Sequence, residues 1–205
     1  MKSFKITTLP GDGIGPEVMN AALAVLDVVG NEYDLNFKII TELAGGASFD
    51  QYNEPITESA LQSCLESDAV LLGAVGGPKW DNLPQEKKPE KGLLKLREVL
   101  GLFSNLRPAK IFASLANASS LKKDVIVGSD VMVIRELTGG IYFGEPRGHN
   151  EQEGFNTLRY KKYEVERIAK VAFEFARKRN GHVTSVDKAN RSEEHTSELQ
   201  SHLNL

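Results

Sequence analysis

The chain has 205 residues, 40% of them apolar, with 28 acidic and 25 basic side chains and a formal net charge of -3. That balance reads as an ordinary soluble globular protein of one or two domains, without the basic footprint of a nucleic-acid binder. One cysteine, Cys64, excludes an internal disulfide; with no signal-peptide core and no stretch apolar enough to span a membrane, a cytoplasmic protein is expected.

Residues 5–9 are a short strand candidate, followed by the turn-rich run Pro10-Gly11-Asp12-Gly13-Ile14-Gly15. Pro16 sits where a first helical residue should. Val18, Ala21, Ala22, Val25 and Val29 then recur at spacings of three and four, which predicts an amphipathic helix ended by Gly30. Strand, glycine loop and helix make an α/β unit. A helix N-terminus can receive an anion. Pro16, however, occupies the third glycine position of G-x-G-x-x-G, and the Gly-Lys-Ser/Thr ending of a P-loop is missing. By itself the loop reads as a tight turn.

Residues 35–41 predict a second strand, and residues 56–66 a helix capped by Thr57. The apolar run 69–75 suits a central parallel strand covered on both faces. Beyond its carboxyl end comes Gly76-Gly77-Pro78-Lys79-Trp80-Asp81, at the edge where open α/β sheets bind ligands. Trp80, the sole tryptophan, either anchors this loop or lines a pocket.

Residues 92–100 return to helical spacing, with Leu93, Leu96 and Leu100 as the buried face and Arg97 beside it. Residues 103–112 are strand-like, with Arg107 before Pro108, and 125–134 predict two short strands broken at Ser129-Asp130. Residues 133–148 carry the most chemistry: an apolar strand ending in Arg135, a Gly-Gly turn, an aromatic segment with Tyr142, and a Pro-Arg-Gly stop. An arginine and a tyrosine fixed on adjacent rigid segments can hold a carboxylate and move a proton.

A polar excursion over 149–156 precedes a helix over 164–179, whose predicted apolar face is Val165, Ile168, Ala169, Ala172, Phe173 and Ala176. Arg177-Lys178-Arg179 suits the negative end of its dipole, and Asn180-Gly181 stops it. A last strand is expected over 182–187, ending in Lys188-Ala189-Asn190. Together Arg97, Arg107, Arg135, Tyr142 and Lys188 suit a small substrate with two carboxylates, because a guanidinium matches a carboxylate bidentately.

The motifs LPGDGIGPEV, LLGAVGGPKWDNLP, FSNLRPAK, VIRELTGGIYFGEPRG and SVDKAN resemble those of the β-decarboxylating dehydrogenases, the isocitrate/isopropylmalate family, over residues 5–190. Within the family, the run Glu90-Lys91-Gly92-Leu93-Leu94-Lys95-Leu96-Arg97 favours the 3-isopropylmalate branch, because its leucines suit a branched aliphatic group. Tartrate- and isocitrate-type relatives, or a non-catalytic remnant that only binds a dicarboxylate or dimerises, remain the alternatives. The resemblance implies an α/β two-domain fold that is not a Rossmann fold, and oxidative decarboxylation of 3-isopropylmalate with NAD in leucine biosynthesis. It implies that Arg97, Arg107 and Arg135 hold the malate carboxylates, that Tyr142 reprotonates the enol, and that Lys188 assists proton removal in a partner's active site. Glu90, Leu93 and Leu94 would line the side-chain pocket. Ile14, Gly77, Pro78, Lys79, Trp80, Asp81, Asn82, Leu83, Pro84 and Glu90 would lie against the cofactor. A homodimer is implied, with an arm around 136–160 to which a hairpin region at 133–148 and the polar excursion after it would contribute.

The expected domains are 1–100 on the cofactor side and 101–190 for substrate and dimerisation. The Mg or Mn site that the resemblance implies needs aspartates that are expected beyond this sequence, as is a second cofactor loop. Residues 191–205 have no apolar period and resemble a translated sequencing-library adapter, so a non-native, disordered tail is expected there. A truncated fold with an open sheet edge, and little dehydrogenase activity in the 205-residue chain, are the corresponding expectations.

Overall fold

The computed structural model describes residues 2–186. Its contacts divide into one compact unit up to Gly101 and a second from Leu102 onward.

The first unit is built on a parallel sheet of β1 (Lys2–Gly11), β2 (Leu35–Thr41) and β3 (Ala69–Ala74), in the order β2-β1-β3. Ile6 pairs with Ile39 on one side and Ala69 on the other. The centre is therefore β1. The apolar run at 69–75, expected to be central, is the edge strand among the described residues, and Leu72 is 37% exposed. The threonines of β1 hide its burial from a hydropathy reading. Thr7 and Thr8 are fully buried, and their hydroxyls are matched by Ser67 at 2.7 Å and Thr41 at 2.9 Å.

Helix α1 (Gly15–Tyr33) starts with Pro16 in its first turn, as expected. It does not end at Gly30. That glycine is buried within the helix, where a Cβ would press on the Leu35 carbonyl at 3.1 Å. The helix stops instead at Asp34, in the left-handed region with φ +52°. The expected valine stripe is also rotated. Met19 and Gly30 are buried and Leu23 and Leu26 half-buried, whereas Val18, Val25 and Val28 are exposed. Apolar residues surround this helix, so their spacing alone does not select the packed side.

Helix α2 (Gly46–Tyr52) has no counterpart in the sequence reading. Helix α3 (Glu58–Leu65) is capped as expected: the Ala60 amide donates to Thr57 Oγ1 at 3.1 Å. Leu9, Ala44, Ile56, Ala60, Leu61, Cys64 and Leu96 form the core beneath the sheet. After 3-10 turns at Pro78–Trp80 and Gln85–Lys87 comes α4 (Pro89–Val99). Its buried side is Pro89, Gly92 and Leu96, with Leu93 only half-buried. Gly92 takes that side because its backbone lies on Pro55, whose carbonyl oxygen would be 2.7 Å from a Cβ.

In the second unit, β4 (Ser104–Lys110) pairs antiparallel with β5 (Asp130–Glu136). Two strands were expected over 125–134. The first is instead the helical turn α5 (Lys123–Ile126), where the Val125 and Val127 amides donate to Lys122 and Lys123 at 3.0 Å. A 3-10 stretch, Ala113–Ala118, lies between β4 and α5. The aromatic segment after the Gly-Gly turn is a second 3-10 turn, Gly140–Tyr142. Residues 133–148 are therefore not a hairpin, and the partner of β5 is β4. The polar excursion closes as a small ribbon, β6 (Gly148–His149) with β7 (Gly154–Phe155).

Helix α6 (Lys162–Arg177) packs the expected apolar face: Ala176 is buried and Ile168, Ala169, Ala172 and Phe173 are half-buried, while Val165, 55% exposed, falls outside it and Glu164 is buried instead. Residues 182–186 carry no regular structure, against the expected strand. Asp187, Lys188, Asn190 and the tail 191–205 lie outside the described residues. Among the described residues no helix is long and apolar enough to cross a membrane.

Candidate functional site

At the carboxyl end of the first sheet, three loops are tied by one side chain. Asp12 is 4% exposed. Its Oδ2 accepts the Gly46 amide at 2.7 Å and the Gly76 amide at 2.8 Å, and its Oδ1 accepts the Ala47 amide at 2.7 Å. The Asp12 amide itself donates to Ala74 O at 2.6 Å. The Gly11–Gly15 loop is thus committed to structure: its carboxylate points inward to amides of its own unit.

On this base lies Trp80. Its ring rests on Gly46, where any Cβ would overlap it. Its Nε1 donates to Asp50 Oδ1 at 3.1 Å, while Lys79 Nζ donates to Asp50 Oδ2 at 2.6 Å and sits 5.2 Å from the Trp80 ring centre. The Lys79 contact first, then that from Trp80, holds the Asp50 carboxyl below the usual carboxylate range.

Trp80 walls a cavity of about 260 Å³ together with Gly77, Asp81, Gln85, Lys88 and Glu90, with Leu94 also lining it. Of the loop residues expected against a cofactor, Gly77, Trp80, Asp81 and Glu90 line this cavity. Pro78, Lys79, Asn82, Leu83, Pro84 and Ile14 do not. Gly76, at φ +98°, lets Glu90 approach: a Cβ there would meet Glu90 Oε1 at 2.6 Å. A cavity with an aromatic wall and Gly77 in its lining fits one flat ring of a dinucleotide such as NAD, its volume just below the roughly 300–1,000 Å³ of ordinary ligand pockets. On α4, Glu90, Leu93, Leu94 and Arg97 fall at offsets of three, four and seven, and so share a helical side. Cys64 is buried beneath the sheet, and burial pushes its thiol pKa up, which makes it no nucleophile.

In the second unit the β4–β5 ribbon gathers the other candidates. Asn105 pairs with Arg135, and Arg107 with Val133, so these four side chains share one face. Arg107 Nε donates to Asn105 Oδ1. Arg135 Nη2 donates to Tyr142 Oη at 3.1 Å, with the guanidinium 5.6 Å from the ring centre. Arg107, Arg135 and Tyr142 are all exposed. A guanidinium can only donate, so Tyr142 Oη is the acceptor and its own proton is free for another group. Asn105 is the residue the sequence reading missed. Its signal was the i, i+2 spacing to Arg107, which puts both on one side of a strand.

Beneath this face, Glu136 Oε1 accepts from Arg167 Nη2 at 2.6 Å and from Thr138 Oγ1 at 2.9 Å, and its Oε2 accepts the Gly139 amide at 2.6 Å. Arg97, in the first unit, and Lys188, outside the described residues, are not part of this gathering. Among the described residues no three His, Cys, Asp or Glu stand together as metal ligands. The inward-turned carboxylates of Asp12 and Glu136 already serve N–H and guanidinium donors. These residues do not fit a Mg or Mn centre.

Residues 5–200 match the family model described as isocitrate/isopropylmalate dehydrogenase, reaching past Asn190, where the motif likeness ended. The chain is 58% identical over 188 residues to the 3-isopropylmalate dehydrogenase of Chlorobium chlorochromatii strain CaD3, covering 92% of this chain and 53% of that protein. It is 54% identical over 194 residues to the 3-isopropylmalate dehydrogenase of Aquifex aeolicus strain VF5, covering 93% and 53%. Among solved structures, a β-decarboxylating dehydrogenase from Thermococcus kodakarensis in its apo form superposes with a TM-score of 0.64 at 31% identity, over 91% of this chain and 49% of that one. Isocitrate dehydrogenase from Methylococcus capsulatus superposes at 0.62 with 26% identity, over 85% and 48%. The chain spans about half the length of the curated relatives it matches.

Proposed function

The chain belongs to the isocitrate/isopropylmalate dehydrogenase family, and on that premise we propose that its residues serve the oxidative decarboxylation of 3-isopropylmalate to 2-oxoisocaproate in leucine biosynthesis. The observation that carries this reading is the Arg135–Tyr142 contact at 3.1 Å on a ribbon face that also bears Arg107. Two guanidinium groups beside a phenol with a free proton suit a malate-type dicarboxylate whose carbon must be protonated late in the reaction.

In this scheme Arg107 and Arg135 clamp carboxylates of the substrate, and Arg97 supplies a further guanidinium. Asn105 keeps Arg107 extended along the ribbon. Leu93 and Leu94 receive the isopropyl group, and Glu90 with the Trp80 loop orients the nicotinamide side of the cofactor. NAD, when bound, supplies the acceptor for the hydride from the hydroxyl-bearing carbon. Lys188 assists removal of the hydroxyl proton. Tyr142 delivers a proton to the carbon that loses carbon dioxide, so the proton taken from the hydroxyl and the one given to carbon balance. The protein works in the cytoplasm as a homodimer.

Titration of the purified 205-residue chain with 3-isopropylmalate, isocitrate and tartrate tests the reading. Saturable binding is expected to be tightest for 3-isopropylmalate and about tenfold weaker in Arg135→Met, the size of one lost charge-assisted contact. Equal affinity for all three ligands, or binding indifferent to Arg135, would falsify it.

A further inference from the structure

Arg135 and Glu136 are neighbours on β5 that point to opposite faces. Arg135 reaches Tyr142, while the Glu136 side chain is 9% exposed and turns inward. Its carboxylate holds the chain's turn at three points: the Gly139 amide, the Thr138 hydroxyl and, across 31 residues, Arg167 Nη2. Arg167 Nη2 also bonds Thr138 Oγ1. The guanidinium is stacked over Phe103 at 4.6 Å and Tyr163 at 5.2 Å. Its Nε is buried and finds no partner among the described residues, so its hold on the unit is through Nη2 and those two rings. Immediately downstream, Gly140 has φ +74° and donates its amide to Arg159 O at 3.0 Å, and this residue opens the 3-10 turn that carries Tyr142.

We propose that Glu136 and Arg167 are positioning residues of the dicarboxylate site. Their ion pair sets the 136–140 turn, and the turn sets where the Tyr142 hydroxyl stands relative to the Arg135 guanidinium. A side-chain pair off the ligand face thereby decides whether clamp and proton donor meet. A tethered turn also lowers the cost of ordering Tyr142 when ligand binds, since its backbone is already fixed. The substrate named here rests on the function proposed above; the geometric role does not.

The test uses the full 205-residue chain carrying 13Cζ-labelled tyrosine, with Tyr142→Phe assigning its signal among the five tyrosines. In the ligand-free chain, Arg167→Met is expected to shift the Tyr142 signal and leave Tyr33 and Tyr52, which belong to the first unit, in place. It is expected to weaken 3-isopropylmalate, used as the probe, by about tenfold, the scale on which residues outside a ligand's reach modulate its binding. Arg167→Lys, similar in length to the Met variant, keeps the charge without the planar stack and is expected to recover part of the affinity and to move the Tyr142 signal back toward wild type. A purely structural role that depends on filled volume would place Lys and Met together. If Arg167→Met does not fold, the isosteric Glu136→Gln carries both readings and decides in the same way. Wild-type Tyr142 signal and affinity in a folded Arg167→Met or Glu136→Gln chain overturn the proposal. Absence of saturable binding to the unaltered chain overturns the substrate reading instead, and the Tyr142 shift then decides the positioning role alone.

Discussion

Two inward-turned carboxylates organise loops in this molecule, Asp12 buried and Glu136 half-buried, and they do so by different means. Asp12, in the first unit, is served wholly by backbone: three amides from two separate segments point at it. Glu136, in the second, shares its charge between one amide, one hydroxyl and the Arg167 guanidinium. Backbone donors cannot be exchanged by an ordinary side-chain substitution, although a Cβ at the adjoining Gly45 would press on the Asp12 carboxylate. The Glu136 hub has a side-chain partner that evolution or an experimenter can alter. The first unit is thus anchored rigidly beneath a cavity, and the second is anchored adjustably beneath the exposed face that bears Arg135.

The comparison is broken most strongly at Asp12. Asp12→Ala leaves three amides without their acceptor and is expected to cost about 3 kcal/mol. Denaturant unfolding of the chain measures this, and a midpoint within experimental scatter of wild type would contradict the hub. Next comes Gly46→Ala, which forces the Trp80 ring off its seat and is expected to cost about 2 kcal/mol as an overpacked site. Thermal melting and Trp80 fluorescence should change together; a melt that falls without a change in emission would show the ring does not rest there.

Smaller still is the Asp50 clamp on Lys79 and Trp80. Asp50 has a depressed folded-state pKa, so its contribution is present above the ordinary aspartate value of about 3.9 and is lost as pH falls through the folded value. The clamp is at the surface, where such pairs contribute little. Trp80 emission should therefore shift below about pH 4 while most of the fold persists, and Asp50→Asn should remove that step. A step that survives in Asp50→Asn belongs to another group.

Much of the first unit was legible. Strand β2 falls where its apolar run predicted, and α3 begins at its Thr57 cap. Short range patterns set both features. The central place of β1 was not legible because Thr7 and Thr8 look polar until their hydroxyl partners, 33 and 60 residues away, are known. In α6 the expected apolar face did not include Glu164, yet it is buried at its own helix start, where the Lys161 amide donates to Oε2 at 2.7 Å. Arg167 was missed because its partner, Glu136, is on another element 31 residues away. Arg135 and Tyr142 were readable as a pair because only seven residues separate them. Asn105 meets Arg135 only through strand pairing, which a linear reading does not contain.

Asp12 also joins three stretches of chain that are far apart in sequence: the loop after β1, the start of α2 and the end of β3. Releasing any one of them from its carboxylate loosens the other two. In hydrogen-exchange terms, the amides of Gly46, Ala47 and Gly76 should open as one cooperative unit, at one shared rate, even though the outer pair stand 30 positions apart in the chain. The seat of the Trp80 ring on Gly46 would then breathe as a single piece with the Gly76 segment, closing and opening in step.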